Sequence, residues 1–267
     1  MARLMIQGTT SSAGKSLICS GLCRIFKEDG YRVLPYKSQN MSSGYHTDKE
    51  GTKLSFSQVI QALAAGVEPS PAYNTILLIP KSQSGSLVVL RGQELSHMEA
   101  RDYFKYRKTL KEKIYEDYKK LEESSDIVVI EGAGSPAEIN LKENDIVNMG
   151  MAELADAPVF LVADIDRGGV FASLYGTVML LSPEERARVK GLIINKFRGD
   201  IELLKPGIEM FKEYLDIPVI GTIPFMEDNI EATDLDDREA LEGAFDRLAD
   251  HLRKHLDLAF IYRTMGL

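Results

Sequence analysis

The most constraining feature of this chain is a glycine-rich loop that lies between a short apolar run and a helical pattern near its beginning. Residues 8–16 read Gly-Thr-Thr-Ser-Ser-Ala-Gly-Lys-Ser, and the apolar residues 4–6 precede them. A strand, a loop ending in Gly-Lys-Ser and a helix are together the context in which a phosphate-binding loop works. Its glycines let backbone N–H groups approach phosphate oxygens, and the helix N-terminus favours negative charge. The sequence therefore predicts a nucleotide site here; the alternative is a turn rich in glycine and serine that binds no ligand.

Individual side chains of this loop predict individual roles. Lys15 supplies a positive charge for the phosphates, and Ser16 supplies a hydroxyl for Mg²⁺. Five residues separate Gly8 from Gly14, whereas the common loop has four. We predict that the nucleotide contacts the loop, the start of the following helix and one amide at the end of a later strand: Thr10, Ser11, Ser12, Ala13, Gly14, Lys15, Ser16, Leu17 and Asn195.

Apolar runs rich in β-branched residues alternate with helical patterns along the chain. Several of these runs lack polar alternation, which is typical of parallel strands covered on both faces. Strands are predicted at Leu4–Gln7, Arg32–Tyr36, Ile127–Glu131, Val159–Ala163, Gly191–Asn195 and Val219–Ile223. Helices are predicted at Lys15–Lys27, Gln58–Ala65, Met98–Glu122, Ile146–Leu154, Val170–Leu181 and Ile201–Tyr214. This repetition predicts an α/β fold with a doubly wound, mostly parallel sheet, whose ligands gather at the carboxyl ends of the strands.

Two segments fall outside this alternation. Residues 82–97 predict a small hairpin insertion, and Asp234–Leu256 predicts a terminal amphipathic helix packed on the sheet. Because the sequence has neither an internal repeat nor a low-complexity linker, we expect a single domain over residues 1–267, with a C-terminal helical segment at 231–267.

Composition and charge argue against several classes of partner. The net charge of −8 argues against nucleic acid. No apolar run reaches the length of a membrane span, and the beginning of the chain does not resemble a signal peptide. We therefore expect a cytoplasmic protein with no membrane partner. The two cysteines, Cys19 and Cys23, have apolar neighbours on the helix after the loop, which predicts core positions rather than a disulfide or a metal site.

Polar residues follow several predicted strands, at the edge where a ligand is expected. Lys37 follows the second strand and is placed to contact a transferring phosphoryl group and an anionic substrate. Glu131 ends a buried strand, where an acid that binds Mg²⁺ belongs in nucleotide-binding folds. The alternatives are a solvated lysine at position 37 and a salt bridge or helix cap at position 131. Asp145 is also suited to capping the helix that follows it.

Longer strings resemble two related families. The five-residue spacing in the phosphate loop resembles the dethiobiotin synthetase superfamily of P-loop NTPases. Over about residues 3–225 the chain resembles the cobyric acid synthase family. The strings that carry this resemblance are Gln-Gly-Thr-Thr-Ser at 7–11, Lys-Ser-Gln-Asn-Met at 37–41, Glu-Gly-Ala-Gly-Ser-Pro-Ala-Glu-Ile-Asn-Leu at 131–141, Asp-Ile-Val-Asn-Met-Gly-Met-Ala-Glu at 145–153, Ala-Asp-Ile-Asp-Arg-Gly-Gly-Val-Phe-Ala-Ser at 163–173 and Ile-Ile-Asn-Lys-Phe-Arg-Gly-Asp at 193–200.

This resemblance implies an ATP- and Mg²⁺-dependent ligase of cobalamin synthesis that amidates side-chain carboxylates of a corrinoid, adenosylcobyrinic acid a,c-diamide, to give cobyric acid. ATP would phosphorylate the carboxylate, and ammonia would attack the acyl phosphate. The implied catalytic residues are Lys15, Lys37, Asp145 and Asp164, and the implied metal ligands are Ser16, Glu131 and Asp48. The implied substrate-binding residues are Ser38, Gln39, Asn40, Ser135, Glu138, Asn140, Asp166 and Arg167.

The chain departs from the family pattern in three places. The family normally continues into a glutaminase domain with a Cys–His pair, and we expect this chain to lack that domain. Ammonia would then come from a separate glutaminase subunit or from solution, unless the chain is a shortened one. Lys53 stands where the family has an acid near the metal, so the candidate substitute ligands are Asp48 and Glu50, of which Asp48 is the one we predict. Ile79 stands where the family has a lysine. These departures predict an altered substrate or weakened chemistry.

Three alternative functions stay open. The first is a dethiobiotin-synthetase-like ligase, and the second is a paralogue with little activity that binds nucleotide and corrinoid. The third is a partition- or septum-site-type ATPase, although residues 9–11 lack the early lysine of that class. A second copy of the chain, in a homodimer, is a further candidate partner.

Overall fold

The centre of the fold is a parallel sheet that is built outward from the first strand of the chain. The computed structural model describes residues 1–227, 230 and 233–267. In chain order the strands are β1 (Ala2–Gly8), β2 (Val33–Tyr36), β3 (Gln39–Met41), β4 (Tyr45–Thr47), β5 (Lys53–Ser55), β6 (Ile76–Pro80), β7 (Gly85–Leu90), β8 (Gln93–Glu99), β9 (Ile127–Glu131), β10 (Val159–Asp164), β11 (Val189–Phe197) and β12 (Val219–Pro224). Six of them form the sheet in the order β12-β11-β10-β1-β9-β2, and every pairing is parallel.

Helices cover both faces of this sheet. They are α1 (Lys15–Glu28), α2 (Phe56–Ala64), α3 (Ala100–Tyr106), α4 (Lys111–Glu123), α5 (Met149–Leu154), α6 (Val170–Met179), α7 (Pro183–Arg188), α8 (Ile201–Phe211), α9 (Arg238–His255) and α10 (Leu258–Met265). One core cluster joins the sheet to α1, α2, α9 and α10, and a second joins its other face to α3–α6 and α8. The predicted doubly wound α/β sheet is therefore confirmed.

The position of β1 places the first loop at a break in the winding of the chain. From β1 the chain passes to one side of the sheet, to β2 and then β9, and it afterwards continues on the other side through β10, β11 and β12. Ligands of open α/β sheets bind at such a switch point, beside the carboxyl ends of the strands. The loop after β1 lies at this point.

The close packing of α9 on α1 depends on a glycine. A methyl group added to Gly21 would lie 2.3 Å from the Leu252 side chain, so only a glycine lets the two helices approach this closely. The predicted terminal helix is observed as α9, and a further helix that was not predicted, α10, follows it. Residues 231 and 232, at the start of the predicted C-terminal segment, lie outside the described residues.

The region between β2 and α3 was only partly predicted. The hairpin expected at 82–97 is present as β7 and β8, but it belongs to a four-stranded sheet in the order β3-β6-β7-β8. The helix predicted to begin at Met98 begins at Ala100 instead, because Met98 pairs with Ser86 in the hairpin. That predicted helix is also interrupted by a turn of 3-10 helix at Arg107–Leu110.

One further helix boundary differs from prediction, and one helix was not predicted. Helix α5 begins at Met149 rather than Ile146, because the Asp145 carboxylate accepts hydrogen bonds from the N–H groups of Val147 and Asn148 and holds a turn there. Helix α7 was not predicted, although Ser182 and Glu185 form a capping box around its first turn.

Across the described ranges, no helix combines the length and the apolarity that a membrane span requires.

Candidate active site

The loop after β1 leads directly into the N-terminus of α1. Gly14, the residue before the helix, has a φ of 98°, a left-handed conformation that glycine adopts without strain. Among the described residues, no side chain caps the first turn of α1, and that turn contains no acid. Because the first N–H groups of a helix have no partner within it, this end of α1 can accept an anion.

Lys15 is buried beneath the loop and is held there by carbonyl oxygens. Its side chain donates hydrogen bonds to the Thr10 carbonyl at 2.8 Å and to the Gly134 carbonyl at 3.0 Å. Burial lowers the pKa of the ammonium from 10.5 to about 8, although the charge of Glu131 acts in the opposite direction. If phosphate oxygens replaced these carbonyl groups as partners, they would place negative charge beside the Lys15 ammonium.

The lowered pKa of Lys15 predicts a pH-dependent affinity for nucleotide. Bound phosphates would raise the pKa of Lys15, so the affinity should be constant below pH 8 and should fall above it, by up to about tenfold per pH unit. Titration of the protein with ADP and Mg²⁺ between pH 7.5 and pH 9.5 measures this. The Lys15→Arg variant keeps its charge throughout this range and should give a flat profile at whatever affinity it retains. A flat wild-type profile would contradict the burial argument.

Glu131 is the centre of a buried polar cluster at the end of β9. Its Oε1 atom accepts hydrogen bonds from the Lys37 ammonium at 2.6 Å and from the Ser16 hydroxyl at 2.8 Å. Its Oε2 atom accepts from the side-chain amides of Gln61, at 2.6 Å, and Gln58, at 3.3 Å. Burial alone would raise the pKa of this carboxyl, but the charge of Lys37 and these hydrogen bonds lower it below its ordinary value.

The oxygen atoms of this cluster suit a magnesium ion. The Ser16 hydroxyl and the Glu131 carboxylate lie together beside the loop, and Mg²⁺ prefers oxygen ligands. In residues 1–227, 230 and 233–267, three or more His, Cys, Asp or Glu side chains nowhere gather into a metal-binding group. Phosphate oxygens and water would therefore complete the coordination, as is usual for Mg²⁺ in nucleotide sites.

A cavity of about 530 Å³ opens beside the loop and the Glu131 cluster, and we call it the loop cleft. This volume lies in the range of small-molecule sites. Ten of the residues predicted from the sequence line it: Ser11, Lys15, Ser16, Lys37, Gln39, Asn40, Glu131, Ser135, Glu138 and Asp145. The structure thus brings the phosphate loop and much of the predicted substrate site into one cleft.

Several residues of the loop cleft are fixed by neighbours rather than free to react. Both carboxylate oxygens of Asp145 accept backbone N–H groups, those of residues 147, 148 and 150. The Glu138 carboxylate accepts the Ser135 N–H at 3.1 Å. Gln39 accepts a hydrogen bond from the Tyr103 hydroxyl, and Asn40 donates one to Ser55. These contacts hold the wall of the cleft in one shape.

A second group of predicted residues lies on the other side of the loop, after β10 and β11. Asp164 is paired with the Lys196 ammonium at 2.8 Å, and Lys196 also donates to the Ser12 carbonyl at 2.7 Å. The Asn195 amide donates to the Ala13 carbonyl at 2.8 Å. None of these side chains lines the loop cleft. They instead support the phosphate loop from beneath.

The remaining predicted residues lie apart from the loop cleft. Asp166 pairs with Arg198 at 3.3 Å, and Arg167 is exposed on the segment between β10 and α6. Asn140 is exposed in a turn of 3-10 helix, and Leu17 is half-buried on α1. Ser38 is fully buried behind the cleft wall and donates to the Ile146 carbonyl at 2.6 Å.

The structure does not bring Asp48 to the Glu131 cluster. Asp48 lies in the connection between β4 and β5, where its carboxylate accepts the backbone N–H groups of Glu50 and Thr52. Lys53, which stands where the family pattern has an acid, points its ammonium at Glu94 at 3.2 Å and at the Tyr45 ring. Two neutral amides, those of Gln58 and Gln61, contact Glu131 instead.

Both cysteines occupy core positions, as predicted. Cys19 and Cys23 are free thiols with no exposed surface, and burial raises the pKa of each. Neither thiol can therefore supply the thiolate that a nucleophile requires.

Comparisons with known proteins agree with this geometry. The family model described as CbiA, the CobQ/CobB/MinD/ParA nucleotide binding domain, matches residues 4–237. A cobyric acid synthase from Clostridium acetobutylicum is 55% identical over 234 residues, which are 88% of this chain and 48% of that protein. One from Alkaliphilus metalliredigens is 52% identical over 259 residues, which are 96% of this chain and 50% of that protein. The chain therefore spans about half the length of the curated relatives it matches.

Among solved structures, the MinC:MinD cell division protein complex from Aquifex aeolicus contains a similar chain. The TM-score is 0.50, the sequence identity is 15%, and the match covers 95% of each chain. A likeness at this identity shows the fold alone. The family match and the identities to the curated relatives establish that this chain belongs to the CobQ/CobB/MinD/ParA family of nucleotide-binding domains and is a homologue of cobyric acid synthases.

Proposed function

We propose that this chain uses ATP and Mg²⁺ to activate a side-chain carboxylate of a corrinoid for amidation, the reaction expected of a cobyric acid synthase. One observation carries the proposal: the phosphate loop, the Lys37–Glu131 pair and the polar segment 133–148 line the same cleft. More than half of the aligned residues are identical to those of proteins named cobyric acid synthase. This similarity supports a corrinoid as the acid that enters the cleft.

The proposed chemistry needs a leaving group on the carboxylate. A carboxylate oxygen attacks the γ-phosphorus of ATP, ADP departs, and an acyl phosphate forms. Ammonia then attacks the acyl carbon, the amide forms, and inorganic phosphate leaves. Positive charge and N–H groups that are already in place stabilise the charge that develops on the phosphoryl oxygens.

Different residues of the chain would bind the phosphates, neutralise the transferred group and hold the metal ion. Lys15 and the N-terminus of α1 bind the phosphates, and Lys37, at the end of β2, neutralises the phosphoryl group during transfer. Ser16 and Glu131 would hold Mg²⁺, which neutralises phosphate charge when bound. Lys37 is already held by Glu131 at 2.6 Å, so its ammonium is oriented before a ligand arrives.

Asp145 and Asp164 have contacts that support a positioning role rather than contact with the reacting carboxylate. Asp145 uses both oxygens to hold the turn before α5. Asp164 holds Lys196, which in turn supports the phosphate loop. At about 530 Å³, the loop cleft suits the reacting carboxylate arm, so most of a corrin ring would lie outside it.

Mass spectrometry of corrinoid acids incubated with the chain tests the proposal. With ATP, Mg²⁺ and ammonium we expect conversion of carboxylates to amides, and with glutamine in place of ammonium we expect none, because both cysteines are buried. The Lys37→Met variant should lower the rate by roughly 100-fold. Amidation driven by glutamine alone would contradict the assignment of ammonia as the nitrogen source. Turnover with diaminopelargonate and bicarbonate, without turnover of any corrinoid, would move the function to a dethiobiotin-synthetase-like ligase.

A further inference from the structure

A buried arginine in the wall of the loop cleft has no role in the scheme above. Arg107 lies in the turn of 3-10 helix between α3 and α4, and it lines the loop cleft with only 6% of its surface exposed. Nothing in the local sequence pattern distinguishes Arg107 from the lysines and arginines around it.

The hydrogen bonds of Arg107 satisfy only part of its guanidinium group. Its Nη2 atom donates to the carbonyl oxygens of Leu141 at 2.8 Å and Glu143 at 2.9 Å. The Phe104 ring lies 4.2 Å from the guanidinium carbon. The Nε atom is buried, and no hydrogen-bond partner for it is found in the part of the chain that the structure describes.

Among the residues that the structure describes, no acidic side chain forms an ion pair with Arg107, although the charge of Arg107 contributes to lowering the pKa of Glu143. Glu143 contacts Arg107 through its backbone carbonyl, whereas the Glu143 carboxylate pairs with Lys108 at 3.3 Å. Carbonyl groups and a ring face satisfy donors, but they do not neutralise a full charge. Buried arginines are almost always paired with an anion, since an unpaired buried charge is costly.

Other charged groups in the same wall are already paired or engaged. Lys37 is bound to Glu131, and Lys142 is paired with Glu185 at 2.6 Å. The Asp145 carboxylate is engaged with backbone N–H groups. A carboxylate of a bound ligand would give Arg107 the close anionic partner that the described residues do not supply.

We propose that Arg107 binds a carboxylate of the substrate, a second one that is not the carboxylate being phosphorylated. The inference rests on the proposed function and adds an anchoring residue to it: one carboxylate of the substrate binds at the α3–α4 turn while another is phosphorylated. A guanidinium group matches a carboxylate in shape and in charge, and Arg107 is held in place by its two carbonyl partners before the ligand binds.

The test compares two forms of one ligand on matched variants. The ligands are a corrinoid with free side-chain carboxylates and the same corrinoid with those carboxylates converted to primary amides. Binding is followed by corrin absorbance in the presence of Mg²⁺ and a non-hydrolysable ATP analogue. Arg107→Met should weaken binding of the acid form by roughly 10- to 100-fold and leave the amide form unchanged. Lys108→Met, which removes a neighbouring exposed charge, should behave like the wild type.

Two additional variants and a control separate the possible outcomes. Arg107→Lys should keep part of the preference for the acid form, and Arg107→Gln should lose it while keeping a hydrogen-bond donor. The affinity for the ATP analogue and the melting temperature report whether each variant is folded. Equal loss of both corrinoid forms, or no loss of either, would overturn the role of Arg107 while leaving the proposed function intact. Failure of the wild type to bind either corrinoid, with normal binding of the ATP analogue, would instead contradict the proposed function.

Discussion

Replacing Lys15 with alanine should abolish measurable nucleotide binding. The Lys15 ammonium is buried beneath the phosphate loop and donates to the Thr10 and Gly134 carbonyl oxygens. In the alanine variant those carbonyls would face the phosphates without a cation between them. Because charge-assisted contacts to phosphate are among the strongest hydrogen bonds in proteins, we expect affinity to fall by at least roughly 100-fold. Calorimetric titration with ATP and Mg²⁺ measures the change.

Lys27 provides a matched control for this substitution. It lies in the last turn of the same helix, α1, and its ammonium is 3.9 Å from Glu242. Lys27→Ala removes the same charge far from the loop and should leave nucleotide affinity unchanged. Equal affinities of the wild type and the Lys15→Ala variant would show that nucleotide does not bind at this loop.

Replacing Glu131 with alanine should strongly destabilise the protein as well as remove a magnesium ligand. The Lys37 side chain is only 6% exposed, and the substitution would leave its ammonium group without a counter-charge. Removing one partner of a buried ion pair costs about 3–5 kcal/mol. For a chain of this size that loss corresponds to a decrease of the melting temperature on the order of 10 °C. Thermal unfolding without nucleotide measures it.

A second variant and a surface pair test the reason for this loss. The double variant Glu131→Ala/Lys37→Met should recover part of the stability, because no unpaired charge remains. Glu94→Ala removes the exposed partner of Lys53 and should change stability by no more than about 1 kcal/mol. The pKa of Glu131 lies below 4.5, so its contribution is present above that pH and is lost on acidification. A Glu131→Ala variant as stable as the wild type would contradict the charge-pair account.

The parts of the site that follow from local sequence were predictable. The phosphate loop is a continuous segment between a strand and a helix, so its residues and its place in the fold could be predicted directly from the sequence. Glu131 and Lys37 could also be predicted, because each comes immediately after the apolar run of a parallel strand, and such strand ends meet at one edge. The alternation of apolar runs with helical patterns was sufficient for the doubly wound sheet.

The parts that depend on packing between distant segments were not predictable. Gln58 and Gln61 reach Glu131 only because α2 packs beside α1, and no local signal marks them as ligands of a carboxylate. Arg107 lines the loop cleft because a turn of 3-10 helix interrupts what the sequence suggested was one long helix. The place of Asp48 in the sequence predicts a substitute metal ligand, but its carboxylate caps a short turn between β4 and β5 instead of contacting Glu131.

The central claim is that ATP in the loop cleft phosphorylates a corrinoid carboxylate, and oxygen-isotope transfer tests it most directly. The corrinoid acid is labelled with ¹⁸O in its carboxylates and incubated with the chain, ATP, Mg²⁺ and ammonium, and the inorganic phosphate is analysed by mass spectrometry. The acyl-phosphate route predicts that each amide formed is accompanied by a phosphate that carries one ¹⁸O atom from the carboxylate. Amide formation with unlabelled phosphate, or release of unlabelled phosphate without any amide, would contradict the claim.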